Sequence, residues 1–280
     1  MMLLHNLLIA ASVGFLAGLH TATWGIYKDS IHEGFFWPRY FRSPIVGAVM
    51  GLIAYAIARP PLDHASGLVS FFGVCYVLER GAVELWKTFL RNEDQGKYFI
   101  PMQFAVFGRI VHSQARRLVI GAIMTAAVCG TFLLIHYNAG RLPLDQSPWI
   151  VFLIATVSGW ISAFLGAWKD APVEGFQPLK FVRSPLWAGF WGLLIAHFQS
   201  SILVVMMAGL GYTIFTLETY KTFFFPSKPR GKFAGKPILY PDMLRRRQHF
   251  VPLYAAIWIL VLAGFYLALS QPHTGLVHIL

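Results

Sequence analysis

The chain has 280 residues, of which 56% are hydrophobic and 12% charged, with a formal net charge of +11 and a mean hydropathy of +0.58. A soluble domain carries about 25% charged residues, so this composition excludes an ordinary soluble globule and points to an all-α, polytopic integral membrane protein. No nucleic-acid module, Walker loop, dinucleotide fingerprint or G-x-S-x-G elbow occurs in it.

The apolar runs predict eight spanning helices over 3–27, 44–60, 67–90, 117–136, 148–168, 185–199, 201–225 and 250–270, at lengths suited to a hydrocarbon core about 30 Å thick. The first run is too long for a signal-peptide core and lacks a basic n-region, so it reads as a retained helix. Ser-Pro at 43–44, 147–148 and 184–185 predicts helix starts, because serine accepts from free N–H groups and proline loses no bond at the first helical position. Residues 185–225 must hold two crossings, with a tight turn at Gln199-Ser200-Ser201. Cys75 and Cys129 lie in separate runs without CxxC spacing and read as small buried hydrophobes.

Basic residues mark one side of the membrane. The loops after the odd-numbered helices carry Lys28, Arg39, Arg42, Arg91, Lys97, Arg109, Arg116, Arg117, Lys169, Lys180, Arg183, Lys228, Arg230, Lys232, Lys236, Arg245, Arg246 and Arg247, against Arg59 and Arg141 on the other side. By the positive-inside rule these loops are cytoplasmic and both termini external, as in a bacterial-type inner membrane. The net charge then favours contact with anionic membrane lipids over nucleic acid. Oligomeric state leaves no mark in the sequence.

Two segments are nearly the same. WGIYKDSIHEGFFWPRYFRSPIVGAVMGLI, from Trp24, and LGAWKDAPVEGFQPLKFVRSPLWAGFWGLL, from Leu165, align without a gap. Gly25, Lys28, Asp29, Glu33, Gly34, Phe35, Arg42, Ser43, Pro44, Gly51 and Leu52 meet identical residues, where average usage predicts about two matches. A later block repeats Glu84-x-x-Lys87-Thr88 as Glu218-x-x-Lys221-Thr222. The chain therefore reads as a tandem duplication, 1–140 and 141–280. Each half would hold four helices, so the halves insert the same way round, as parallel repeats.

Polar residues kept in both copies are the candidate site. Asp29 and Glu33, with Asp170 and Glu174, stand at i and i+4 and would share a helix face, a geometry suited to Mg²⁺ held with a phosphate. Lys28, Arg42 and Ser43, with Lys169, Arg183 and Ser184, would bind the phosphate, the arginines lying beside a free helix N-terminus. Glu84 with Lys87 and Glu218 with Lys221 lie one turn apart just inside the membrane. Glu79 and Arg80 stand near its middle, where the second copy has Thr213 and Ile214. An architectural reading also fits: Asp29 and Glu33 pair with Arg42 to clamp a hairpin, the glycines serve close helix approach, and Arg39/Lys180, the swapped pair, is a generic anchor. The histidines show no HExxH or HxxxH spacing.

Three functions remain open. The first is an enzyme acting on a lipid or isoprenoid phosphate, with Mg²⁺ at Asp29, Glu33, Asp170 and Glu174 as Lewis acid. In layout this is similar to UbiA-type prenyltransferases, which place two aspartate-rich motifs at cytoplasmic helix ends in two halves. Here each half has one D-x-x-x-E preceded by a lysine, where those enzymes use runs such as N-D-x-x-D. The second is a non-catalytic scaffold that grips anionic lipid or a partner subunit. The third is a transporter or channel.

Overall fold

A computed structural model describes residues 2–98, 102–145, 147–225, 233, 235–272 and 274–278, apart from the side chains of Met2, Lys97, Val173 and Glu174. The elements in chain order are α1 (Met2–Glu33), α2 (Trp37–Ala58), α3 (Ala65–Leu85) continued by a π turn (Trp86–Leu90), a small hairpin of β1 (Ala105–Val106) and β2 (Arg109–Ile110), α4 (Gln114–Asn138), α5 (Pro148–Glu174), α6 (Pro178–Ala196), α7 (Ile202–Phe223), the short α8 (Met243–Arg246) and α9 (Val251–Leu269). Among the described residues, six helices are long and apolar enough to cross a membrane: α1, α2, α4, α5, α7 and α9. The protein is thus all-helical with helices suited to a bilayer. Of the remaining long helices, α3 carries Glu79, Arg80 and Glu84, and α6 carries Lys180 and Arg183 near its start.

Helix α1 packs along α2 and α5 along α6, while α3 and α7 face each other in the middle, flanked by α9 on α3 and α4 on α7. Small residues set these distances. A Cβ on Gly18 would lie 2.1 Å from the Ser43 carbonyl oxygen, and one on Gly159 would lie 2.6 Å from that of Ser184. The backbones therefore touch where Ser-Pro passes, as small-residue helix crossings require. At the centre, a Cβ on Gly211 would lie 2.0 Å from the Gly73 carbonyl oxygen. Gly34 and Gly175 have another role. Both adopt positive φ, 75° and 77°, and their N–H groups bond Ser30 and Ala171 carbonyls, ending α1 and α5 in the conformation glycine adopts most readily.

The helix starts differ from those expected. Helices α2 and α6 begin at Trp37 and Pro178, with Pro38 and Pro178 in the first turn, so Pro44 and Pro185 lie inside them. The Ser-Pro steps at 43–44 and 184–185 are crossing points, not starts; Ser147-Pro148 does begin α5. The expected turn at Gln199-Ser200-Ser201 separates α6 from α7, with Ser201 capping Val204. Cys75 is buried as expected, whereas Cys129 is exposed on α4. Lys228, Arg230 and Lys232 fall outside the described residues.

Two arginines from the basic set hold loops in place. Arg117 is 1% exposed, and its guanidinium donates to the carbonyls of Val111, His112 and Arg91 and to Asn92 Oδ1. Arg247 donates to the Tyr27 carbonyl, and the Leu239 and Tyr240 N–H groups reach that of Ile31. The segment before α9 thus satisfies carbonyls that the last turns of α1 leave open.

Gly18→Ala should force α1 from α2 and lower folded yield and melting temperature, because the obstructing atoms are backbone. Gly25→Ala meets nothing within 4 Å and should be neutral or stabilising by up to about 1 kcal/mol. Equal melting temperatures for Gly18→Ala and wild type in detergent would contradict the crossing.

Candidate functional site

The odd-numbered helices α1, α3, α5 and α7 bring their C-terminal turns to one end of the bundle, where α2 and α6 begin. Their charged side chains meet there. Glu218 Oε2 accepts from Lys28 Nζ at 3.0 Å, and its Oε1 from Lys221 Nζ at 3.0 Å. Glu84 Oε2 accepts from Lys169 Nζ at 2.7 Å, while its Oε1 takes Arg80 at 2.5 Å and Lys87 at 3.4 Å. Lys28 and Lys169 occupy matching places in the two similar segments, as Glu84 and Glu218 do in the later block. Each lysine therefore reaches the carboxylate of the opposite half. Trp24 lies under both Lys28 and Arg80, at 4.5 and 5.3 Å from its ring centre.

Neighbouring residues on a helix project about 100° apart, which separates the two members of each Lys-Asp pair. Lys28 and Lys169 face the middle; Asp29 and Asp170 face their own hairpins. Arg39 holds Glu33 and lies 3.8 Å from Asp29, so the expected i, i+4 face exists and a guanidinium occupies it. Lys180 lies 3.6 Å from Asp170. The clamp expected from Arg42 is thus made by Arg39 and Lys180, the swapped pair expected to be generic anchors. The Glu174 side chain lies outside the described residues.

Arg42 and Arg183 do not sit at free helix N-termini, because α2 and α6 start about a turn earlier. Their guanidiniums lie over Trp86 and Tyr220, each 5.6 Å from the ring centre. Ser43 and Ser184 belong to the helix crossings. Among the described residues, no three His, Cys, Asp or Glu side chains converge. The described carboxylates expected to hold Mg²⁺, at Asp29, Glu33 and Asp170, already lie against arginine or lysine, a poor donor set for a hard cation that needs open oxygen ligands.

A second polar group sits deeper, on the α1–α3 side. Tyr76 Oη accepts from Trp24 Nε1 at 3.0 Å and lies 3.0 Å from His20 Nδ1. His20 is stacked between Phe215 and Tyr254. Glu79 is fully buried, and neither carboxylate oxygen has a hydrogen-bond partner among the described residues. The sequence reading missed Trp24, Tyr76 and Trp86, aromatic residues indistinguishable there from packing. Trp24 and Trp86 did carry a signal, standing beside repeated charges. Compared with known families, curated proteins and solved structures, the chain gives no match.

Removing Glu218 should cost far more than neutralising Glu79. Glu218→Gln leaves Lys28 and Lys221 facing an amide, a loss on the order of 3 kcal/mol for a buried pair. Glu79→Gln replaces a carboxyl whose burial works against the charges of Arg80 and Lys87 and should hold stability within about 1 kcal/mol. Denaturant unfolding in detergent ranks the two, and the reverse order would refute the assignment.

Proposed function

We propose that the chain is a membrane protein of two parallel four-helix repeats, 1–140 and 141–280, which binds the phosphate head group of an anionic lipid in its charged belt. All eight long helices cross the bilayer in this reading. The ends of α3 and α6 that carry charge lie at the cytoplasmic interface, and both termini are external. Support for the repeats comes from the reciprocal bridges Lys28–Glu218 and Lys169–Glu84, and from the paired crossings at Gly18 and Gly159. Support for the orientation comes from the basic loops.

The charge balance carries the binding assignment. Lys28, Arg39, Arg42, Arg80, Lys87, Lys169, Lys180, Arg183 and Lys221 surround the carboxylates Asp29, Glu33, Glu79, Glu84, Asp170 and Glu218. Counting Glu174 as a seventh carboxylate still leaves the set positive. Carboxylates engaged by cations repel a phosphate less, and a cluster with net positive charge in a low-dielectric interface attracts an anion strongly. The surrounding helices supply an apolar environment for the lipid chain.

Thermal stability in detergent tests this reading with dioleoyl phosphatidic acid, neutral dioleoylglycerol and Mg²⁺ as additions. Phosphatidic acid should raise the melting temperature of wild type, an effect worth about 2.7 kcal/mol at a hundredfold excess over Kd, and dioleoylglycerol should not. The shift should shrink in Arg42→Gln/Arg183→Gln. No response to phosphatidic acid, with or without Mg²⁺, would defeat the proposal, and a response that requires Mg²⁺ would return the metal-dependent enzyme to first place. A reporter active only in the cytoplasm should be silent when fused to the N-terminus.

A further inference from the structure

The π turn at the end of α3 sets the wall of a groove against α4. Arg91 N–H bonds the Trp86 carbonyl at 2.8 Å across five residues, whereas at the end of α7 the Phe224 N–H closes an ordinary four-residue turn on Tyr220. Single π turns are rare and recur at functional sites. This one presents Trp86, Phe89 and Leu90 to α4, where Leu118, Ala126 and Cys129 form the opposite wall. This open groove holds about 690 Å³ and is almost entirely apolar, a size suited to a lipid-chain segment.

Charge gathers at one wall of this groove. Trp86 lies between two guanidiniums, Arg42 at 5.6 Å and Arg91 at 5.4 Å from its ring centre. Arg91 also stacks on Tyr98 at 4.2 Å. It is 6% exposed, and its Nε and Nη2 have no hydrogen-bond acceptor among the described residues. Stacking satisfies the faces of a guanidinium and leaves its in-plane N–H donors for a planar or tetrahedral oxyanion. The Arg91 backbone is held in turn, its carbonyl accepting from Gln103 Nε2 at 2.8 Å and from Arg117 Nη2 at 3.4 Å.

Resting on the lipid-phosphate reading above, we infer that Arg42 and Arg91 bracket the phosphate of one long-chain lipid phosphomonoester at Trp86, with its chain lying in the groove between the π turn and α4. The occupant is a lipid because the charged end adjoins an apolar channel, and an anion because unpartnered cationic donors stand at that end. The site belongs to the first half alone: Phe225 stands where Arg91 would recur.

Cys129 gives the site a built-in reporter, since it lines the groove and is exposed while Cys75 is buried. In detergent, dioleoyl phosphatidic acid should slow maleimide labelling of Cys129 at least fivefold, and dioleoylglycerol or inorganic phosphate should not. Arg91→Gln should weaken phosphatidic acid binding at least tenfold, and Ala126→Phe, which fills the groove from an exposed position, should do the same without touching a charge. Should phosphatidic acid stabilise wild type and both variants alike and leave Cys129 unprotected, the groove assignment is overturned while the belt reading survives. Protection by inorganic phosphate alone would also overturn it, because no chain would then be needed. A wild type indifferent to every phosphorylated lipid would remove both readings. Ala126→Phe and wild-type labelling keep the test decisive even if Arg91→Gln does not fold.

Discussion

Two glutamates near the end of a helical bundle cannot be buried unless cations meet them, and the arrangement of the whole protein can be traced to that requirement. A lone carboxylate inside a bilayer costs about 2.5–3.5 kcal/mol on insertion scales, and pairing offsets this only with good geometry. Glu84 and Glu218 obtain it from lysines of the opposite half, at 2.7 and 3.0 Å. Such reach is possible only when α3 and α7 press together, which Gly73, Ala208 and Gly211 permit by leaving no room for larger side chains. With its three charged residues, α3 is the helix that most needs shielding, and α1, α2, α7 and α9 all pack on it. The charges demand the close central pair, and the central pair fixes where α1 and α5 lie.

The Lys-Asp step explains how one short motif holds the bundle in two directions. A turn of about 100° between successive residues sends the lysine across to the other half and the aspartate back to its own hairpin. Lys28 and Lys169 therefore join the halves, while Asp29 and Asp170 join α1 to α2 and α5 to α6 through Arg39 and Lys180. At that second contact either arginine or lysine places a positive charge within reach of the aspartate. The inner lysine meets one oxygen of a glutamate whose other oxygen is held by cations of its own helix, and it is identical in the two similar segments.

Local spacing marks how far the sequence could be read. Helical class, the α6–α7 break, the long α1 and the pairs Glu84–Lys87, Glu218–Lys221 and Arg80–Glu84 follow from local spacing, because i, i+3 and i+4 contacts depend on the chain alone. Which lysine meets which glutamate across halves depends on packing between α3 and α7, and no spacing encodes it. Ser-Pro misled the helix starts because proline is tolerated inside a helix where a partner backbone lies close, and Pro38 and Pro178 had already opened α2 and α6. The glycines divided in a way sequence cannot show. Gly18 and Gly51 serve close approach, Gly34 serves a positive φ, and nothing in the structure explains Gly25. Arg117 and Arg247 looked like anchors, yet each holds backbone carbonyls of a loop or helix end. Their charge was legible and their partners were not.

The two similar stretches of sequence differ most in the deeper polar group. At the spacing of the repeat, His20, Trp24, Tyr76, Glu79 and Arg80 are matched by Ile161, Leu165, Leu210, Thr213 and Ile214. Every polar member of the deeper group in the first half has an apolar or neutral counterpart in the second. Ion pairs between halves do not require this group, since Lys28 and Lys169 reach their glutamates equally well on both sides. A buried carboxyl with no hydrogen-bond partner among the described residues and a histidine stacked between aromatic rings add cost where they stand. Part of what sets the first half apart, from Glu79 up to Arg91 at the π turn, lies along one helix and its continuation. The residues that distinguish the first stretch thus lie on α1, with His20 and Trp24, and on α3 and its π turn.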